Sequence, residues 1–322
     1  MTRRSPAPLT ALLLIAFALP AVAGDELRGR RVEPNLPPTD AELSEPTRVV
    51  VLGTSSPVPD PNRTGASIAV IHKGEAYVFD MGAGATQQAI RAREKFDIPS
   101  LNPISICCVF ITHLHSDHIA DLPVLTAAAW WRRSEQLSVF GPQGLAEVSG
   151  GIAAMLGPDT RIRQSGAQPG NDPLLDGLHT TEIEAGVVFE KDDLSIEAFT
   201  VPHGQIKPAF GYRITTDDRS IVISGDTAYS DTLIEKARGA DLLFHEYVSD
   251  GMLASMPEAW QHYLTTAHTT TSQIAKIGAL AQPGKLILYH GLYTGVPESR
   301  VLEEVRAGYD GEVILASDLD IY

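Results

Sequence analysis

Short apolar runs separated by clusters of Gly, Pro and polar residues recur along the chain, a pattern of strands broken by turns. Residues 47–52, Thr-Arg-Val-Val-Val-Leu, are rich in β-branched side chains and predict a strand that Gly53-Thr54-Ser55-Ser56-Pro57 ends. Residues 66–72 and 76–80 predict two more, joined at Lys73-Gly74, and Phe79-Asp80-Met81-Gly82 leads into a helix over 85–96. An apolar run over 104–111, an apolar helical pattern over 119–131, a short strand over 137–140 and a helix over 145–156 follow, with Gly157-Pro158 as the helix stop. Polar residues 158–180, rich in Gly, Pro and Asp, interrupt the pattern and read as a lid or rim. Strands return at 186–190, 194–201, 211–215 and 220–224, and a further amphipathic helix is expected to open at His268 and run to about residue 280. Strands and helices alternate through two β-rich halves with no linker or repeat, which predicts an α/β (α+β) chain with a single domain over 47–322.

The N-terminus stands outside that pattern. Arg3 and Arg4, an apolar stretch over 9–19 and Ala21-Val22-Ala23 have the anatomy of a secretory signal peptide over residues 1–23. The stretch falls short of the ~20 residues a membrane-spanning helix needs. Residues 24–46, rich in Pro, Glu and Asp without periodicity, read as an extended leader. The expectation is an exported protein, periplasmic or extracellular, with no membrane contact once the signal is cleaved.

Formal net charge is −15 over 322 residues, and losing the two signal-peptide arginines makes it more negative. Such a surface repels polyanions, and no Lys/Arg-rich run supplies the basic patch that nucleic-acid binders use. The charge weighs against long nucleic acids but not against a small anionic ester. The only cysteines, Cys107 and Cys108, are adjacent, could form only a vicinal disulfide, and read as core filling with one side chain toward each layer.

Three imidazoles and a carboxylate crowd into the six residues His113-Leu114-His115-Ser116-Asp117-His118, directly after the apolar run. Imidazole nitrogen and carboxylate oxygen are the ligands borderline divalent metals prefer, Zn²⁺ first among them. His203, Asp226 and His290 each follow an apolar segment in the same way. His72, His179 and His262 match no such pattern and read as surface or loop residues, while Trp130 and Trp131 read as core.

His-x-His-x-Asp-His after a hydrophobic strand resembles the signature of the metallo-β-lactamase superfamily. The fuller Thr-His-Leu-His-Ser-Asp-His-Ile-Ala-Asp-Leu-Pro is similar to the branch containing ribonuclease Z and secreted arylsulfatase-type enzymes. Leu-Gly-Thr-Ser-Ser-Pro-x-Pro-x-Pro-x-Arg, ending at Arg63, and the Gly141-Pro142-Gln143-Gly144-Leu145 turn resemble the same branch. So do Pro202-His203 before Phe210-Gly211-Tyr212-Arg213, Ser224-Gly225-Asp226-Thr227, Phe244-His245-Glu246 and Leu288-Tyr289-His290.

The resemblance implies a four-layer αββα metallo-β-lactamase-type sandwich holding two divalent ions, zinc first with manganese or iron as alternatives. It implies His113, His115 and His203 on one ion, Asp117, His118 and His290 on the other, and Asp226 bridging them, with Asp117 also open to a proton-accepting role. His268, in Ala267-His268-Thr269-Thr270-Thr271, would protonate the leaving group. Glu246 would orient it, although the chain departs from the branch's His-Glu-Ala-Thr at Tyr247-Val248. Arg63 would border the substrate.

The implied activity is that of an exported binuclear hydrolase cleaving a phosphodiester or a sulfate ester of a small anionic substrate with metal-activated hydroxide. One alternative is a tRNA 3′-processing endoribonuclease, ribonuclease Z proper, against which the acidity, the signal peptide and the lack of a basic arm weigh. A second is a lactonase or β-lactamase attacking acyl carbon. A non-enzymatic metal-binding protein would fit the loss of a ligand or of His268, and none is lost. A homodimer stays open.

Overall fold

Each half of the chain starts as an antiparallel meander and ends as a parallel sheet. A computed structural model describes residues 45–166, 177–292 and 295–322. Among these, the first sheet has the order β1 (Thr47–Gly53), β2 (Ser67–His72), β3 (Glu75–Phe79), β4 (Cys108–Phe110), β5 (Leu137–Gly141) and β6 (Leu178–Glu182). The second runs, in chain order, β7 (Gly186–Lys191), β8 (Leu194–Thr200), β9 (Phe210–Thr215), β10 (Ser220–Ile223), β11 (Leu242–Tyr247), β12 (Lys285–Gly291) and β13 (Val313–Leu315). The pairing turns parallel from β3 to β4 in the first sheet and from β10 to β11 in the second.

Strand alternation sorts side chains into layers. Val49 and Val51 of β1 join a cluster between the sheets with Phe79, Phe110, Tyr212, Ile223 and Phe244. Val50 and Leu52 instead face the helices α1 (Ala85–Phe96), α2 (Ser116–Ile119), α3 (Leu122–Ala129) and α4 (Leu145–Ser165), in a cluster with Ala89, Leu125 and Leu145. The second sheet's outer face packs Val222, Leu243 and Leu288 against Leu233, Ile274 and Val301. These belong to α5 (Asp231–Ala237), α8 (Thr271–Ala281) and α9 (Glu298–Arg306), while α6 (Asp250–Leu253) and α7 (Glu258–Ala267) lie between β11 and α8 in the chain. The result is the expected four-layer αββα sandwich. Each fully buried Val, Leu or Ile contributes about 1.5–3 kcal/mol, so the three apolar layers dominate what holds the sheets together.

Several boundaries differ from the pattern. The run 104–111 forms a ladder only at Cys108–Phe110, because residues 99–106 are taken up by a 3-10 turn at Pro99–Leu101 and the turns after it, while Ile98 and Ile106 still pack into the helix-facing core. Pro158 does not stop α4, which continues to Ser165. Proline removes one helical hydrogen bond, and here Pro158 and the Ala154 carbonyl it would serve lie on exposed residues that water reaches. His268 does not open α8 but ends α7; α8 starts at Thr271 with Thr270 and Gln273 as a capping box. Strand β6 lies where the lid was expected, and the rest of that expectation, residues 167–176, falls outside the described residues, as do the signal peptide and all but the last two residues of the leader. No described helix is long and apolar enough to cross a membrane.

Cys107 and Cys108 are joined as a vicinal disulfide, and both pack on the inter-sheet cluster instead of facing opposite layers. Cys107 precedes β4, so strand alternation does not apply to it. His72 is buried, not a surface residue: its ring lies 2.7 Å from the Thr47 hydroxyl and 3.2 Å from Asp193.

Candidate metal centre

Most of the candidate side chains are delivered by the C-terminal ends of strands, the edge at which open α/β sheets present ligand sites. Asp80 follows β3, His113 to His118 follow β4, Asp226 follows β10, Glu246 sits near the end of β11, and His290 sits at the end of β12. His203 follows β8. Two cross-sheet bonds hold these ends in register: the Tyr212 hydroxyl donates to the Ile111 carbonyl at 2.8 Å, and the Phe210 amide to the Thr112 carbonyl at 2.9 Å. Gly225 has φ +59°, and a Cβ there would lie 2.5 Å from the Phe210 carbonyl oxygen, so glycine is what lets Asp226 approach.

The candidate ligands form two groups. His113, His115, His203 and Asp226 offer atoms within 4.8 Å of one another, and Asp117, His118 and His290 do the same. Asp226 faces both. Its Oδ1 is 3.4 Å from His118 Nε2 and 3.2 Å from His290 Nε2, while its Oδ2 is 3.8 Å from His113 Nε2 and 3.9 Å from His203 Nε2. Asp117 Oδ2 lies 3.6 Å from both His118 Nε2 and His290 Nε2.

The rings are aimed by their second nitrogens. His118 Nδ1 donates to Asp80 at 2.8 Å, His203 Nδ1 to the Ala267 carbonyl at 2.7 Å and His290 Nδ1 to the Ser55 carbonyl at 2.7 Å. Thr112 gives its hydroxyl proton to Asp80 and accepts from His113 Nδ1 at 3.0 Å. With their protons fixed there, the Nε2 atoms carry lone pairs. Those of His113 and His203 lie 2.9 and 3.2 Å from His115 Nδ1, which can donate to only one of them. His118 Nε2, His290 Nε2 and Asp226 Oδ1 have no hydrogen-bond partner among the described residues. Buried, unpaired lone pairs converging on common points are what a cation would satisfy, so the donor set fits divalent metal.

The electrostatics divide the two groups. Burial and the nearby imidazoles hold His113 well below the ordinary histidine pKa, and burial also lowers His115 and His203, so this trio is neutral, the form that binds metal. Burial works against charge on His118 and His290 too, but Asp226 outweighs it, with Asp80 helping at His118, and both are raised. Asp226 resists burial through those same histidines and stays well below the ordinary carboxylate range.

His268 lies beside this centre, its Nδ1 3.8 Å from Asp226 and 3.6 Å from Glu246. Burial opposes its charge, the Glu246 carboxylate outweighs that, and its pKa is raised. Burial raises Glu246, whose Oε1 accepts from the Thr269 amide at 2.9 Å. Arg63 is placed differently from the rest. It pairs with Glu298 and lines a cleft of about 370 Å³ with Ser55, Val58, Met252 and Met256, on the side of His290 that its Nδ1 faces.

Asp80 is the functional residue to which the sequence pattern assigned no role. It is buried at φ +59°, accepts from the Thr112 amide, the Thr112 hydroxyl and His118, and so ties the two arms of the motif together. Its place in Phe79-Asp80-Met81-Gly82, at a strand end like the others, was the available signal.

Comparison with known proteins agrees with this geometry. The Beta-lactamase superfamily domain model matches residues 76–291. The chain is 30% identical over 246 residues to ribonuclease Z of Mycobacterium bovis (strain BCG / Pasteur 1173P2), covering 75% of this chain and 85% of that one. A metallo-β-lactamase fold protein of Bacillus subtilis superposes with a TM-score of 0.65 at 20% identity, over 86% of this chain and 100% of that one. The short form of human tRNase Z does so with 0.62 at 23% identity, over 85% and 98%.

Proposed function

The chain belongs to the β-lactamase superfamily, as a hydrolase with the metallo-β-lactamase fold, and from that premise we propose that it is a metal-dependent phosphodiester hydrolase of the ribonuclease Z type. The carrying observation is Asp226, whose two oxygens face two separate histidine groups. Sulfate and phosphate esters stood side by side in the sequence motifs, with ribonuclease Z proper as an alternative. The ribonuclease Z relatives weigh for phosphate, and nothing among them supports an exported sulfatase. They also outweigh the acidic composition, because net charge describes the whole chain and not the residues around the site.

In this reading His113, His115 and His203 would hold one divalent ion and Asp117, His118 and His290 a second, with Asp226 facing both ligand groups and zinc the first candidate. Such ions lower the pKa of water toward neutrality and stabilise charge building on the ester oxygens. Asp80, Ser55 and Ala267 keep the imidazoles aimed, so little reorganisation is needed when substrate arrives. The Glu246 carboxylate raises the His268 pKa above the ordinary histidine value, which suits the ring to give a proton to the departing oxygen. Glu246 is a positioning residue that keeps the ring turned toward Asp226.

The test loads the purified protein with zinc or manganese and compares bis(p-nitrophenyl) phosphate, p-nitrophenyl sulfate and a 3′-extended precursor tRNA. Turnover of the diester, with or without the tRNA, is expected; turnover of the sulfate alone overturns the proposal. His268→Gln should lower kcat roughly 10²- to 10⁴-fold while leaving bound metal unchanged.

A further inference from the structure

A second cluster of imidazole and carboxylate lies at the opposite end of the sandwich. Strand β2 ends at His72, the β7–β8 turn carries Asp193, and the β9–β10 turn carries Asp217. Strand β8 starts at Leu194, beside Asp193, and runs seven residues toward His203, so at ~3.3 Å per residue the cluster stands about 20 Å from the candidate metal centre. His72, Asp193 and Asp217 offer ligand atoms within 4.8 Å of one another. One belongs to the first sheet and two to turns of the second.

Carboxylates in surface turns are ordinary, but His72 is buried, only 3% exposed. The Thr47 hydroxyl gives its single proton to Asp218 Oδ1 at 2.5 Å, so toward His72 Nδ1, 2.7 Å away, it can only accept. Nδ1 therefore carries a proton. The neutral ring then turns its Nε2 lone pair to Asp193 Oδ1, another acceptor, at 3.2 Å. Two acceptors face to face repel unless a positive charge lies between them. A proton on Nε2 would satisfy that one pair, whereas a metal ion would satisfy Asp217 as well. The arrangement also repeats that of the candidate centre, where the Thr112 hydroxyl donates to Asp80 and accepts from His113 Nδ1. Two donors ~2.0–2.1 Å from one ion at a tetrahedral angle stand about 3.3 Å apart, so the spacing of Nε2 and Oδ1 is the one a zinc-type ion imposes.

We propose that His72 Nε2, Asp193 and Asp217 bind a zinc-type divalent ion that clamps the two sheets together at the end away from the candidate centre. The imidazole selects a borderline cation over calcium or magnesium. Asp217 is exposed, so water completes the coordination and the ion has a way in. Asp193 Oδ2 already accepts from the Asp217 amide at 3.3 Å, which aims the carboxylate. Its Oδ1 also pairs with the Lys73 ammonium, on a side chain 52% exposed that withdraws into solvent when the ion binds.

The experiment counts zinc. The full chain, saturated with Zn²⁺ and dialysed, is compared with Asp193→Asn and Asp217→Asn by plasma emission spectrometry. Each variant is expected to hold about one zinc ion fewer per chain than the wild type, with bis(p-nitrophenyl) phosphate turnover changed less than about twofold. Asp226→Ala/Asp217→Asn should likewise hold less zinc than Asp226→Ala, which separates this ion from those of the candidate centre whatever that centre hydrolyses. Lys73→Met keeps all three ligands and removes the ammonium that competes for Asp193. It should retain zinc against a several-fold higher chelator concentration, a result that does not depend on the carboxylate variants folding. Equal zinc in the wild type and both carboxylate variants, with no gain in Lys73→Met, overturns the site and leaves His72 and Asp193 as an ion pair between the sheets.

Discussion

At the floor of the site, His113, His118, His203 and His290 are buried and each has its second ring nitrogen held by a neighbour, whereas at the rim α7 rests on a small apolar cluster and its two aromatic rings, Trp260 and Tyr263, are half-exposed. The floor gathers unpaired lone pairs and a carboxylate in a buried place, an arrangement that costs stability until a cation arrives. Extensive support is therefore needed, from Asp80, the cross-sheet bonds and the glycine that lets Asp226 in. The rim orders little and is supported by little. Substitutions at the floor should thus change metal binding, catalysis and stability together, and substitutions of the rim aromatics should leave bound metal unchanged.

The largest expected effect is at Asp226, where both groups meet. Asp226→Ala should lower diester turnover on the order of 10³-fold or more, and metal analysis of the purified variant should show less metal per chain, since several kcal/mol of charge stabilisation depend on it. Retention of full metal content and activity would remove Asp226 from the centre.

Next comes His245, buried beside Glu246 with Nε2 lacking a partner among the described residues, and pushed by burial from the ordinary 6.5 down to about 4. A folded value below the unfolded one means that the stability is complete above pH 6.5 and is lost as pH falls through that value toward 4. The loss is about 3 kcal/mol if the ring must charge. His245→Gln should flatten the fall in chemical-denaturation stability over that window relative to the wild type. An unchanged slope would show that the buried ring does not govern acid stability.

The same contrast explains what the sequence could disclose. The floor was legible because its histidines and carboxylates follow apolar runs and stand in motifs that resemble those of a known family, so His113, His115, His118, His203, Asp226 and His290 could be named before any contact was seen. The role of Asp80 is not legible in Phe79-Asp80-Met81-Gly82, since its partners Thr112 and His118 are 32 and 38 residues away in the chain. His72 looked like a loop residue because one side of its environment, Asp193, comes from the other sheet. Periodicity also misled at Pro158, because a helix tolerates a lost hydrogen bond on its wet side. The rim was illegible for a further reason. Helical spacing alone does not tell whether Trp260 and Tyr263 are buried, and only the packing shows Leu264 buried and the two rings half-exposed.

Asp80 gives the third test. Asp80→Ala leaves every candidate ligand in place but frees His118 and Thr112, so metal affinity should fall roughly ten- to hundredfold, measured by chelator competition, with smaller loss of turnover at saturating metal. Equal loss at saturating metal would mean that Asp80 shapes the fold more than the centre.

The smallest effect should be on stability at the rim, and it separates the two regions most cleanly. Trp260 is 46% exposed, so removing its indole opens no cavity, the main route by which a large-to-small change costs 3–5 kcal/mol in a core. Trp260→Ala is expected to stay within about 0.5 kcal/mol of the wild type in urea unfolding, with an unchanged m value. Leu264, one helical turn on and buried against Val248, Met252 and Leu292, is the matched control: Leu264→Ala should cost about 2–5 kcal/mol, read as faster hydrogen exchange in α7 before the sheets open. Were Trp260→Ala as costly as Leu264→Ala, the ring would be part of what holds α7 down, and floor and rim would no longer differ in how their side chains are supported.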